Sequence, residues 1–217
     1  MAPIRGSERV ITLFIVRHGN TFDPNDTVLR VGARTDLPLS HSGKQQAYAV
    51  GRYFIEQQIQ LDTVYTSQLQ RTQMTATLAL QAMQHSLPIQ TQAMFNEVDY
   101  GPDEGQPETA VQKRLGDQAL HAWQEQGIVP MGWRVDCEQI IQQWQSFLMQ
   151  LQQQDSNKNV LVVTSQGIAR FVFSAIRQTP PMTQSTKLAT GALACLTYHT
   201  PGPWQIKFWN HRPVSRD

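Results

Sequence analysis

Residues 10–16 are all apolar or β-branched, and they run straight into Arg17-His18-Gly19-Asn20-Thr21. An unbroken run of this length reads as a strand buried on both faces. A stretch rich in Asp, Asn, Gly and Pro follows over residues 20–40 and reads as a loop. Ser42-Gly43 then opens a helical pattern, with Ala47, Val50, Tyr53 and Phe54 spaced for one buried face. Residues 63–66 predict a short strand, and residues 68–84 a helix with Leu69, Met74, Leu78 and Met83 turned inward. Further strands are expected near Ile89 and Val98. Residues 108–126 and 136–154 read as helices. The second carries Ile140, Ile141, Trp144, Phe147, Leu148 and Leu151 at core spacing.

A second buried strand is predicted over residues 159–164, turning at Gly167 into a helix that bears Arg170. Residues 193–198 and 205–209 predict a hairpin across Thr200-Pro201-Gly202-Pro203. Strands and helices alternate without an internal repeat, so the pattern predicts a single α/β domain over residues 1–217 with a mostly parallel sheet. Residues from about 106 to 132 read as a helical insertion over the ligand-binding end.

Length and charge narrow the field. A chain of 217 residues can fill one core, or a core with a modest insertion. A net charge of +1, with no basic block, argues against a nucleic-acid platform. Residues 10–16 are too short to span a bilayer. They also lack the small-residue cleavage site of a signal peptide, and the apolar stretch 160–176 is interrupted by Ser165, Gln166 and Arg170. Cys137 and Cys195 lie far apart, as in a reduced pair, and the expected location is cytoplasmic. His41, His85, His121, His199 and His211 have no metal-ligand spacing, so no metal or other cofactor is expected.

The chemistry concentrates in ordered blocks. An Arg-His pair at the carboxyl end of a strand stands where open α/β sheets bind ligands. It is followed by Leu39-Ser40 with Gly43, Gln46 and Ala47; by Val64-Tyr65-Thr66-Ser67 with Leu69, Arg71 and Thr75-Ala76; by Glu97-Val98-Asp99-Tyr100-Gly101 with Glu104-Gly105; and by Val162-Val163-Thr164 through Gly167 to Arg170. On these blocks the chain resembles the histidine phosphatase superfamily, the phosphoglycerate mutase-like group, over most of its length. The resemblance implies a three-layer α/β/α fold of the phosphoglycerate mutase type. It also implies a nucleophilic His18 carrying a transient phosphohistidine, with Arg17 and Arg71 clamping the phosphoryl group and Glu97 as general acid and then base. The physical chemistry is consistent with these roles. An adjacent cation disfavours imidazolium, guanidinium forks match phosphoryl oxygens, and a partly buried carboxyl keeps its proton near neutral pH. Asn20 and Thr21 are placed to donate further hydrogen bonds to the phosphate.

One block departs from the family. Where the family carries a second histidine and a glycine after this strand, the chain reads Ser165-Gln166. Ser165 offers a hydroxyl and no cation, and losing one preorganised donor costs about two to three orders of magnitude in rate. Ser165 and Gln166 are nevertheless candidate phosphate ligands. The leading expectation is a metal-independent phosphatase of the phosphatase branch, hydrolysing a small phosphorylated metabolite and slowed or retuned by Ser165. A phosphoglycerate-type mutase and a non-catalytic phospho-ligand-binding pseudophosphatase remain open. Arg30, Arg34 and Arg170 are candidates to meet an acidic substrate, and Phe22, Tyr100, Trp123 or Trp133 to wall the pocket. No nucleic-acid or membrane partner is expected. Homo-oligomerisation is left open, with an edge strand near the C-terminal hairpin available for pairing.

Overall fold

The first strand, β1 (Val10–Arg17), divides its side chains by parity. Ile11, Leu13 and Ile15 enter one apolar cluster, while Phe14 and Val16 enter another. β4 (Lys158–Thr164) repeats the division, with Val160 and Val162 on the first side and Leu161 and Val163 on the second. Successive strand residues point to opposite faces, so a strand between two cores must be apolar throughout. That is the physical origin of the unbroken run.

The molecule is a computed structural model describing residues 9–177 and 185–214. With β2 (Thr63–Thr66), β3 (Ile89–Thr91), β5 (Leu193–His199) and β6 (Trp204–His211), the sheet has the order β3-β2-β4-β1-β5-β6. The first four strands are mutually parallel, and β5 and β6 close the sheet as an antiparallel pair. Arg17 lies opposite Thr164, and Thr66 lies opposite Val163, so β1, β4 and β2 end at one level.

Helices cover both faces. α1 (His41–Glu56) and α2 (Gln70–Ala82) bury Val50, Phe54, Ala76, Ala79 and Leu80 against the Phe14 side. On the Ile15 side lie Trp123 of α3 (Glu108–Gln126), the apolar face of α4 (Cys137–Gln152), and two short helices, α5 (Gln166–Ala169) and α6 (Val172–Ala175). This is the three-layer α/β/α arrangement. The helix starts follow their caps: the Ser40 side chain accepts from the Gly43 N–H, and that of Asp136 from the Gln139 N–H. Among the described residues no helix is long and apolar enough to cross a membrane.

Several expectations need correction. The inward face of α2 is Thr72, Thr75, Ala76, Ala79 and Leu80, with Met83 just beyond the helix packed against the same core, whereas Met74 and Leu78 are only partly buried. The reason is a close helix–helix approach: a β-carbon on Gly51 of α1 would stand 2.3 Å from the Ala79 carbonyl oxygen, so small residues face inward. Tyr53 of α1 is partly buried and packs against the rim of the Phe14-side core. No strand forms at Val98; residues 93–103 run through two 3₁₀ turns. The Val98 carbonyl accepts from the Ala33 N–H instead of a sheet neighbour. Helix α3 is broken at Gly116, where φ is 78° and ψ 159°.

Candidate active site

The site begins where β1 and β4 stop. The His18 N–H donates to the Thr164 carbonyl at 3.0 Å, carrying the pairing one residue past the strands. A cavity of about 450 Å³ opens there, walled in part by Arg17, His18, Asn20, Thr21, Glu97 and Gln166. The chain can turn away at Gly19 because the first turn of α1 carries Gly43. A β-carbon on Gly19 would stand 2.3 Å from the Gly43 carbonyl oxygen, and one on Gly43 would stand 2.0 Å from that of Asn20. The Gly19 N–H donates to Thr75 Oγ1, which itself donates to the Arg71 carbonyl.

His18 is 6% exposed, and its Nδ1 lies 2.8 Å from the Gly19 carbonyl oxygen. A carbonyl only accepts, so Nδ1 carries the ring proton and Nε2 keeps the lone pair. Burial, followed by the charges of Arg71 and Arg17, holds the imidazole well below its usual range. The ring is therefore neutral and has a free nitrogen.

Both arginines are fastened through carbonyls. Arg17 Nη1 donates to the Leu188 carbonyl at 3.1 Å. Arg71 donates from Nη1 to Thr35 at 2.9 Å and from Nη2 to Gly32 at 3.1 Å. The Nε of each is buried without a partner among the described residues. Burial lowers both guanidinium groups, against the opposing pull of Glu97. Arg71 is fully buried behind the cavity wall rather than on it.

Glu97 accepts from the Val98 N–H at Oε1 (2.9 Å) and from the Gly167 N–H at Oε2 (3.3 Å). Burial pushes its carboxyl above the ordinary range, outweighing those amides and the two arginines. Glu104 ties the neighbouring loops together. Its carboxylate accepts from the Gly32 N–H, the Tyr100 N–H and the Thr35 hydroxyl, fixing the two carbonyls that hold Arg71.

The remaining candidates separate. Thr21 lines the cavity. Asn20 lines it too, but its amide donates to Ser42 Oγ at 3.1 Å and its carbonyl oxygen accepts from the Thr190 hydroxyl. Gln166 is also committed at both ends. Its Nε2 donates to the Thr186 carbonyl at 3.3 Å, and its Oε1 accepts from the Leu188 N–H at 2.7 Å. Ser165 is fully buried with its hydroxyl unpartnered, and it does not reach the cavity wall. Arg34 pairs with Asp99, and Trp133 donates to Asp103, both away from the cavity wall; Phe22, Arg30, Tyr100, Trp123 and Arg170 do line it. Sequence reasoning missed the loop 185–190, whose Leu188 carbonyl anchors Arg17. The loop has no periodic or motif signal, and Arg17, Asn20 and Gln166 all link it to the site.

A three-layer α/β/α fold with an Arg-His pair at the carboxyl edge of its sheet, a neutral imidazole and a buried carboxyl brings together groups that phosphoryl transfer needs. The chain belongs to the histidine phosphatase superfamily (branch 1), whose family profile it matches over residues 13–212. It is 29% identical over 196 residues to the uncharacterized phosphatase PhoE of Bacillus subtilis, covering 90% of this chain and 92% of that one. It is 34% identical over 115 residues to a 2,3-bisphosphoglycerate-dependent phosphoglycerate mutase of Streptococcus sanguinis, covering 52% of this chain and 49% of the mutase. Among solved structures, a mycobacterial glucosyl-3-phosphoglycerate phosphatase superposes with a TM-score of 0.73 at 17% identity, covering 94% of this chain and 100% of that one. The alpha-ribazole phosphatase of Shigella flexneri superposes with a TM-score of 0.71 at 22% identity, covering 95% and 99% respectively.

Proposed function

We propose that this protein hydrolyses a small phosphomonoester through a phosphohistidine on His18. The observation that carries this reading is the tautomer of His18: Nδ1–H is spent on the Gly19 carbonyl, in a setting that keeps the ring neutral. In the first step Nε2 attacks phosphorus, the P–N bond forms, and the P–O bond to the leaving group breaks. Glu97, holding its proton above the ordinary carboxyl range, protonates the departing alkoxide. In the second step the Glu97 carboxylate takes a proton from water, the hydroxide oxygen attacks phosphorus, and the P–N bond breaks to release phosphate. Arg17, on the cavity wall, offers its guanidinium to the equatorial oxygens, and Arg71 adds positive charge from behind. Phosphate release from a panel of phosphoesters without added metal tests this. Loss of all turnover in His18→Ala is expected, and unchanged turnover would refute it.

A second reading follows from Ser165. With its hydroxyl off the cavity wall and Gln166 committed to the loop 185–190, neither supplies the donor that the family's second histidine would provide. A protein that binds a phospho-ligand without turnover is the outcome if wild type is inactive and Ser165→His gains activity. Hydrolysis by wild type that is abolished in His18→Ala excludes it. Product analysis separates hydrolysis from a mutase: inorganic phosphate against an isomerised ester.

A further inference from the structure

The cavity wall holds three arginines, Arg17, Arg30 and Arg170, and they differ in one respect. Arg30 is neutralised by Glu108, with which its Nη2 forms an ion pair. Arg17 and Arg170 have no carboxylate ion pair among the described residues. Arg17 stands beside the nucleophile, where the transferring phosphoryl group accounts for its charge. Arg170 stands elsewhere, and its charge has no such explanation.

Arg170 is also built into place rather than left in solvent. It is 8% exposed at the end of α5, three residues beyond the Gly167 amide that holds Glu97. Its Nη1 donates to the Trp123 carbonyl at 2.6 Å, and its guanidinium lies 5.1 Å from the centre of the Trp123 ring and 5.6 Å from that of Phe171. One fork position is thus fixed by the backbone, and two aromatic faces flank the group. Glu125, also on the cavity wall, is exposed and not ion-paired with it. Burial outweighs the attraction of Glu125 and Glu97 for Arg170, which acts only from beyond ion-pair distance. A buried guanidinium that no carboxylate touches is costly, and the cost is relieved when an oxyanion arrives.

Resting on the phosphatase reading above, we infer that Arg170 forms a second anion subsite, so that the preferred substrate is a phosphomonoester bearing a further carboxylate or phosphate group. One end of the substrate meets Arg17 and His18, and the other meets the Arg170 fork beside Trp123. The cavity, about 450 Å³, has room for a small doubly anionic metabolite.

The test compares kcat/KM on matched esters. 3-Phosphoglycerate is set against glycerol 3-phosphate, and 6-phosphogluconate against sorbitol 6-phosphate; each pair differs only in carboxylate against hydroxymethyl, at a short and a long spacing. Fructose 1,6-bisphosphate against fructose 6-phosphate tests phosphate as the second anion. Wild type is expected to favour the extra anion in at least one pair by about tenfold to a hundredfold, the range of a charge-assisted hydrogen bond. Arg170→Gln is expected to erase that ratio. Arg170→Lys, which keeps the charge and apolar stem but loses the fork, is expected to retain part of it, and it carries the test if the Gln variant does not fold. Equal kcat/KM within every pair in wild type overturns the inference, as does a preference that survives unchanged in both variants. If no ester is turned over, the hydrolytic reading fails separately, and the same pairs are titrated calorimetrically into wild type and the variants. Tighter binding of the doubly anionic member, lost in Arg170→Gln, then upholds the subsite; equal or absent binding overturns it.

Discussion

The Gly167 amide donates to Glu97, and a β-carbon on Gly167 would stand 2.2 Å from Glu97 Oε1. The carboxyl proposed as the acid is therefore seated on bare backbone. Gly167→Ala must push Glu97 off its two amide donors, while the change itself adds only a methyl group. The expected result is a fall in kcat of about a hundredfold or more, comparable to losing the acid altogether, with a thermal midpoint only a few degrees lower. Steady-state kinetics beside a melting curve decide it, and near-wild-type kcat in a folded Gly167→Ala protein would sink the assignment.

His18 and Glu97 bias stability against pH in opposite directions. His18 titrates well below the usual imidazole range in the folded state, chiefly because it is buried. As pH falls below about 6.5, the unfolded chain takes up a proton that the folded ring refuses, and stability drops. Glu97 titrates above the ordinary carboxyl range, also through burial. Its contribution is complete at low pH and is lost as pH rises through its folded value. Between about pH 5 and 7, His18→Asn should make the slope of unfolding free energy with pH less positive, and Glu97→Gln should make it less negative. Urea titrations across that range measure both slopes; shifts of the same sign would contradict the account.

Gln166 holds the loop 185–190 by both ends of its amide, and the Leu188 carbonyl in that loop holds Arg17. Gln166→Ala removes two of the bonds that hold the loop and loosens the anchor of Arg17, leaving those from Trp209 to the Lys187 carbonyl and from the Ala189 N–H to Asn210. KM is expected to rise by about tenfold, with partial recovery in Gln166→Asn, which keeps the amide on a shorter stem. An unchanged KM in both variants would show that Arg17 needs no such support.

Trp144 is fully buried and donates from Nε1 to the Ile168 carbonyl at 2.9 Å, tying α4 to the turn that carries Gly167 and Arg170. Trp144→Phe keeps most of the packing and loses this hydrogen bond, while the Ile168 carbonyl still accepts from the Phe171 N–H at 3.2 Å, so the expected cost is about 0.5–1.5 kcal/mol. Trp144→Ala adds a cavity and should cost about 3–5 kcal/mol. Denaturant unfolding measures both; unchanged stability in Trp144→Phe would mean that the hydrogen bond contributes nothing.

What the sequence made legible follows from how burial writes itself into residues. β1 and β4 lie between two cores, so their apolar runs are unbroken, and the Arg17-His18 pair is found at the end of one of them. The face of α2 was misread because large apolar side chains draw the eye, whereas the contact with Gly51 selects alanine and threonine. Val98 suggests a strand by type, yet the amides and carbonyls around it serve Glu97, Glu104 and the loop at Ala33. Gln166 offers an amide to any reader, but its partners lie about twenty residues further on, in a loop with no pattern of its own. Local structure and the Arg17-His18 pair at the strand end are therefore readable, and the long-range commitments of polar side chains are not.

Gly19 and Gly43 meet back to back, each without room for a single carbon atom. The floor of the site is thus only as thick as the main chain itself. A floor of this kind cannot be adjusted by exchanging side chains, since any substituent would drive the loop after His18 away from α1. Adaptation to a new ligand is confined to the walls: Phe22 and its neighbours, the end of α3 at Trp123, and the loop 185–190. Laboratory evolution for altered specificity should accumulate its changes there and leave residues 19 and 43 as glycine.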